Sequence, residues 1–265
     1  MVNQLKNMKI LVTNDDGIHA PGLAILENVA RALSKDVVTV APAVNQSGTA
    51  HSLTLHSPLR LHDHGENRYA VDGTPTDCVL MAIRHLLKDD LPDLILSGVN
   101  YGQNMAEDVT YSGTVAAAME GTTLGIPSLA FSQVFGHHSK TPNFDVAARY
   151  LPELITNLMQ NGFPKHVLLN VNFPDPENGL AKGIKVTTQG QRDQKHADLI
   201  ERFDARKQPY YWIGFQRREE IPKQNSDLTA VRSGYISVTP LHLDLTEHEQ
   251  LPRLQANINQ DFDCS

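Results

Sequence analysis

Two carboxylates stand side by side at Asp15 and Asp16, directly after the apolar run Ile10-Leu11-Val12 and ahead of Gly17. Adjacent carboxylates repel each other, and a cation beside them relieves the repulsion. On its own an Asp-Asp-Gly run reads as a solvated turn. Its chemical meaning comes from two later loops that also follow apolar runs. Ser47 comes after Val37-Val38-Thr39-Val40, and Asn100 comes after Asp93-Leu94-Ile95-Leu96-Ser97. Two carboxylates, a hydroxyl and an amide oxygen form a hard, all-oxygen donor set. Such a set suits Mg²⁺, Mn²⁺ or Ca²⁺, whereas Zn²⁺ prefers His or Cys. It also leaves coordination positions for water and substrate, as a catalytic metal requires.

Ser112-Gly113-Thr114 opens a helix-like stretch from Val115 to Thr122. Such a turn offers backbone N–H groups and hydroxyls to an anion, and equally serves as an ordinary helix cap. A cation next to an anion-holding helix start points to phosphoryl chemistry. His19 and His51 lie near the first two loops and are candidate proton donors. In a chain with 12 histidines, each also has a purely structural reading.

These loops need a scaffold that brings them to one edge. Pro21 to Ser34 has helical periodicity, with Leu23, Leu26, Val29, Ala30 and Leu33 on one face. Thr54 to Leu61 and Arg68 to Val71 read as short strands or extended segments of an insertion. Thr74-Pro75-Thr76-Asp77 is a helix start, with Thr74 and Asp77 as caps. Ala116-Ala117-Ala118 makes a slim helix able to approach a sheet closely. Ile126 to Ser132 and Val167 to Phe173 read as further strands. Asn143 to Asn161 reads as a helix that Pro152 should kink or divide. Strands alternating with helices predict an α/β, doubly wound, mainly parallel sheet, with all three oxygen-rich loops at its carboxyl edge. Gly125 and Gly136 read as turn residues.

The last third differs. Ile184 to Thr188 and Tyr235 to Leu245 read as strands. Gln191 to Ser233 has no helical period and reads either as a protruding arm or hairpin or as a long surface loop. Its Tyr210-Tyr211-Trp212 aromatics suit a subunit interface. The division is a catalytic core over 1–190, an arm over 191–233 and a C-terminal strand and tail over 234–265.

The 265 residues allow a full core, and 40% hydrophobic with 20% charged content reads as a globular chain. A net charge of −7 argues against nucleic acid as partner. No apolar run reaches the length of a membrane span, and the first residues carry no signal-peptide core. Cys78 and Cys264 have neither metal-ligand nor redox spacing and read as reduced thiols of a cytoplasmic protein.

NDDGIHAPGL, NQSGTAHSLTL, VDGTPTDCV, SGVNYGQN, YSGTVAAAMEG and GYISVTPLHLDLT occur in the order of the survival protein E (SurE) family. The chain resembles that family of metal-dependent nucleoside monophosphatases over most of its length. The resemblance implies a Rossmann-like core with one divalent ion, Mg²⁺ or Mn²⁺, held by Asp15, Asp16, Ser47 and Asn100. It implies phosphate release from nucleoside 5′- and 3′-monophosphates, and in some members trimming of short polyphosphate. Asn104, Ser112, Gly113 and Thr114 match positions lining the phosphate pocket, and Asp15 matches a position suited to a general base. Homodimers or homotetramers held by the arm and exchanged C-terminal segments are implied too. Tyr101 and Gln103 depart from the small residues or proline common in relatives. The arm, with Phe215-Gln216-Arg217-Arg218, lacks their glycine-rich stretch. Two rivals remain. A haloacid-dehalogenase-type phosphatase would need a nucleophilic Asp where Asn14 stands. A nucleotide-sensing module on the same fold would bind without turnover.

Overall fold

The computed structural model describes residues 5–135, 142–192, 197–215 and 224–258. Strand β1 (Lys9–Thr13) carries the apolar run into the Asp15-Asp16 turn and is followed by helix α1 (Pro21–Leu33). Then come β2 (Asp36–Pro42), β3 (Leu61–Asp63), β4 (Arg68–Val71), α2 (Pro75–Met81) and β5 (Leu94–Tyr101). Helix α3 (Gly113–Thr123), β6 (Ser128–Gln133), α4 (Asp145–Gln160) and β7 (Val167–Phe173) complete the alternating part. The rest holds β8 (Ile184–Val186), β9 (Ala197–Phe203), β10 (Pro209–Phe215), α5 (Asp227–Arg232), β11 (Ile236–His242) and α6 (Leu251–Ile258).

Nine strands form one sheet in the order β3-β4-β2-β1-β5-β6-β7-β11-β8. From β4 through β7 every neighbouring pair is parallel. β3 and β11 pair antiparallel with β4 and β7. Alternate residues of β1 feed opposite faces. Ile10 and Val12 share a core cluster with the buried faces of α1 and α4, while Leu11 shares one with Cys78 and Val79 of α2 and Ala117 of α3. The helices lie close to the sheet because small residues let them. A Cβ on Gly121 of α3 would fall 2.3 Å from Ser128 Oγ and 2.5 Å from Ile95 Cδ1.

The caps are as the sequence predicts. Thr74 Oγ1 accepts from the Asp77 N–H and Asp77 Oδ2 accepts from the Thr74 N–H, a reciprocal capping box. Several elements differ from expectation. β5 runs on through Gly98 to Tyr101, because Asn100 and Tyr101 still pair with Ser132 and Gln133 of β6 after a register shift. α4 continues through Pro152 as one helix. Thr54 to Arg60 form no strand.

The predicted hairpin is present. β9 and β10 pair antiparallel as a two-stranded sheet that leaves Tyr211, Trp212 and Ile213 exposed. Helix α5 is an addition inside the stretch read as irregular. Ser226 caps it, and Leu228, Ala230 and Val231 are buried. Cys78 is a buried free thiol, while Cys264, Gly136 and 216–218 lie outside the described residues. Among the described residues no helix is long and apolar enough to cross a membrane.

Candidate active site

The parallel order β2-β1-β5 puts three carboxyl-terminal loops side by side. Asn14 turns back into its own loop. Its Nδ2 donates to the Gly17 carbonyl oxygen at 3.0 Å, and its Oδ1 accepts from the Gly17 N–H at 3.2 Å. The Asn14 side chain therefore holds the turn that presents Asp15 and Asp16, and no aspartyl nucleophile stands in its place.

The second loop is sewn to the first. The Gln46 N–H donates to the Asp15 carbonyl oxygen at 2.8 Å. Asn45 Nδ2 reaches Asp16 Oδ1 at 3.5 Å, while Asn45 Oδ1 accepts from the Ser47 N–H at 2.8 Å. Asn45 thus sets both Asp16 and the exposed Ser47. On the β5 side, the Tyr101 N–H donates to Asp16 Oδ2 at 3.3 Å. Asn100 Nδ2 donates to the Gly102 carbonyl oxygen at 2.9 Å, and no hydrogen bond among the described residues uses its Oδ1. That oxygen remains an acceptor.

Helix α3 arrives with its N-terminus against Asp15. Thr114 Oγ1 donates to Asp15 Oδ1. A Cβ on Gly113 would fall 2.7 Å from Asp15 Cβ and 3.0 Å from Asp15 Oδ2, so only a glycine lets the helix start this close. Ser112 Oγ accepts from the Val115 N–H at 3.1 Å and caps the helix. The hydroxyls of Ser112 and Thr114 are therefore engaged within the protein, and the backbone at Gly113 carries the anion-facing character of the turn.

Asn104 sits differently from the others. It is buried, its Nδ2 donates to Ser132 Oγ at 2.8 Å, and its carbonyl oxygen takes the amides of Asn170 and Asn172. It anchors the loop after β5 to β6 and β7. Asp227 of α5 anchors the next residues. Its fully buried carboxylate accepts the N–H groups of Ala106 at 2.9 Å and Gly190 at 2.8 Å. His19 and His51 are engaged elsewhere, His19 edge-on to His64 and His51 with Glu120 at 3.0 Å.

Burial pushes the Asp15 carboxyl up to about 7. The Thr114 hydroxyl opposes that rise and the Asp16 charge adds to it. Burial raises Asp16 as well, against the pull of the Tyr101 N–H. Among the described residues no Lys, Arg or His forms an ion pair with either carboxylate. No cluster of three or more His, Cys, Asp or Glu among them is placed to hold a metal. Two desolvated carboxylates without a countercharge, with a free amide oxygen and a serine loop beside them, fit a hard divalent cation.

Asn45 and Asp227 were missed by sequence reasoning. Asn45 had a signal, the Asn-x-Ser spacing of a side-chain-stabilised turn. Asp227, 121 residues from Ala106, had none.

A family model described as "Survival protein SurE" matches residues 10–196. The chain is 56% identical over 245 residues to a "5'-nucleotidase SurE" of Parvibaculum lavamentivorans, covering 92% of this chain and 88% of that relative. It is 55% identical to one of Azorhizobium caulinodans, covering 93% of this chain and 97% of that relative. A solved structure of a SurE protein from Aquifex aeolicus superposes with a TM-score of 0.79 at 41% identity, covering 94% of this chain and 99% of that one.

Proposed function

The chain belongs to the SurE family, and from that premise we propose that it is a nucleotidase releasing phosphate from nucleoside 5′-monophosphates at the β2-β1-β5 edge. The observation that carries the reading is the desolvated Asp15-Asp16 pair, without a cationic side chain among the described residues, facing the N-terminus of α3. Asp15, Asp16, Ser47 and Asn100 would hold one divalent cation, Mg²⁺ or Mn²⁺. When bound, that cation supplies Lewis acidity and positive charge at the phosphoryl oxygens.

The chain's own groups do the rest. Asn45 and the Tyr101 N–H fix Asp16, and Thr114 fixes Oδ1 of Asp15. Asp15 Oδ2 lies beside Gly113, and Asp15 would take the proton of the attacking water. The turn built by Ser112, Gly113 and Thr114 directs backbone N–H groups at the phosphoryl oxygens, and Asn104 holds the loop that forms the pocket wall. Water attacks phosphorus and the P–O bond to the nucleoside breaks. The electron pair leaves on the nucleoside oxygen, which takes up a proton.

A panel of nucleoside 5′- and 3′-monophosphates and short polyphosphate, assayed for phosphate with Mn²⁺, Mg²⁺ or EDTA, tests the reading. Cation-dependent release from nucleotides is expected. Tight nucleotide binding without release under any cation would replace it with the sensor reading. The exposed hairpin aromatics and the wholly exposed α6 support assembly into a homodimer or homotetramer, which light scattering of the intact chain would measure. The free thiol of Cys78 suits a cytoplasmic setting.

A further inference from the structure

The metal-ligand loops are polar, yet an aromatic ledge adjoins them. Tyr101 closes β5, and the same residue whose N–H bonds Asp16 sets its ring against Phe135 in a tilted contact, with centroids 5.0 Å apart and planes at 35°. On another side the Tyr101 ring meets the buried Phe144 edge-on at 6.2 Å. Phe135 lies two residues past the end of β6, at the same carboxyl edge, and stays 38% exposed. Gly102 separates this ring from the ligand set. A Cβ there would fall 3.6 Å from Phe135 Cε1 and 3.8 Å from Asn100 Nδ2. Phe144 and Tyr101 thus back an outward-facing ring that stands next to Asn100.

Resting on the nucleotidase reading, we propose that Phe135, braced by Tyr101, is the stacking platform for the substrate's base. A phosphate held between the cation site at Asp15, Asp16 and Asn100 and the turn at Ser112, Gly113 and Thr114 puts the nucleoside within reach of the ledge. A flat apolar ring beside a hydrophilic centre offers its face to another flat ring, and that contact is read by area rather than by hydrogen-bond pattern. The platform therefore accepts every base and favours purines over pyrimidines. The competing place is a cleft of about 370 Å³ on the β2 and β4 side, lined in part by Val44, Thr54, Ser57 and Asp72.

The test compares adenosine 5′-monophosphate with ribose 5-phosphate, which keeps the scissile ester and lacks the base. With the Mn²⁺-loaded enzyme, Phe135→Ala should lower the ratio of kcat/KM for the nucleotide over the sugar phosphate about tenfold, mostly through KM. Phe135→Trp should restore it, and the fluorescence gained over the parent, which already carries Trp212, should be quenched by the nucleotide and not by ribose 5-phosphate. An unchanged ratio in Phe135→Ala, or a ratio moved instead by Asp72→Asn, would overturn the platform. Because quenching reads binding alone, it decides the matter even if the parent enzyme released no phosphate. That last result would sink the nucleotidase reading separately.

Discussion

Gly113→Ala adds one methyl group at the point where α3 meets the carboxylate turn. The new Cβ would sit 2.7 Å from Asp15 Cβ, 3.0 Å from Asp15 Oδ2 and 3.1 Å from Pro75 Cγ. Carbon atoms pack at roughly 3.5–4.0 Å, so Asp15 or the start of α3 must give way by about 1 Å. Asp15 cannot yield freely, because Thr114 holds its Oδ1 and Gln46 holds its carbonyl oxygen. Overpacking of this kind costs about 1–3 kcal/mol, and a ~1 Å misplacement at a reacting centre costs on the order of a hundredfold in rate. Gly121→Ala, on the same helix but away from the site, supplies the comparison, since a Cβ there would strike Ser128 Oγ of β6 and Ile95 Cδ1 of β5. Both variants should melt earlier, by roughly 3–10 °C. At a temperature where both remain folded, Gly113→Ala should lose most turnover and bind Mn²⁺ more weakly, while Gly121→Ala should stay within about threefold of the parent, a local effect that distant steric strain does not transmit. Parental turnover and Mn²⁺ affinity in Gly113→Ala, with its fold intact, would refute the reasoning.

Three further outcomes follow from the same contacts. In EDTA, the raised Asp15 pKa means the folded state binds the proton more tightly than the unfolded chain. Its contribution is then fully present below about pH 4 and is lost as pH rises to about 7, worth on the order of 4 kcal/mol. Urea unfolding of Asp15→Asn should lack that share of the pH dependence and show the variant more stable than the metal-free parent at pH 8; parallel pH curves would contradict it. Asn45→Ala should weaken Mn²⁺ binding about tenfold or more, measured calorimetrically, because Asp16 and Ser47 lose their shared orienting group. Asp227→Ala should leave the buried N–H groups of Ala106 and Leu228 and the half-buried one of Gly190 unpaired and lower stability by about 2 kcal/mol or more in chemical denaturation, with turnover falling as the loop at Ala106 loosens.

The site was legible where chemistry and local structure share a short stretch. Asp15 and Asp16 follow an apolar run in a turn, and Thr74 with Asp77 states its capping box in four residues. Contacts made across the fold left no such trace. Thr114 reads locally as part of a helix start, and its bond to Asp15 spans 99 residues. Asn104 entered only through family resemblance, and the structure gives its side chain to Ser132. Gly98 looks like a strand end, yet pairing with β6 carries β5 past it. Helix α5 is six residues long, too short to display a period, so the burial of its Leu228 and Val231 in one cluster with Met105 and Ala106 had to come from tertiary packing. Pro152 is tolerated inside α4 because tertiary contacts of Leu151, Leu154 and Ile155 outweigh one missing backbone bond.

On the proposed reading, turnover depends on a cation held by the Asp15-Asp16 pair. The most direct test is phosphate release from adenosine 5′-monophosphate by Asp16→Ala across an Mn²⁺ titration, beside the parent enzyme. The parent's activity should rise to saturation with one ion per chain, and Asp16→Ala should stay near the EDTA background. Full turnover by Asp16→Ala at saturating Mn²⁺ would contradict it.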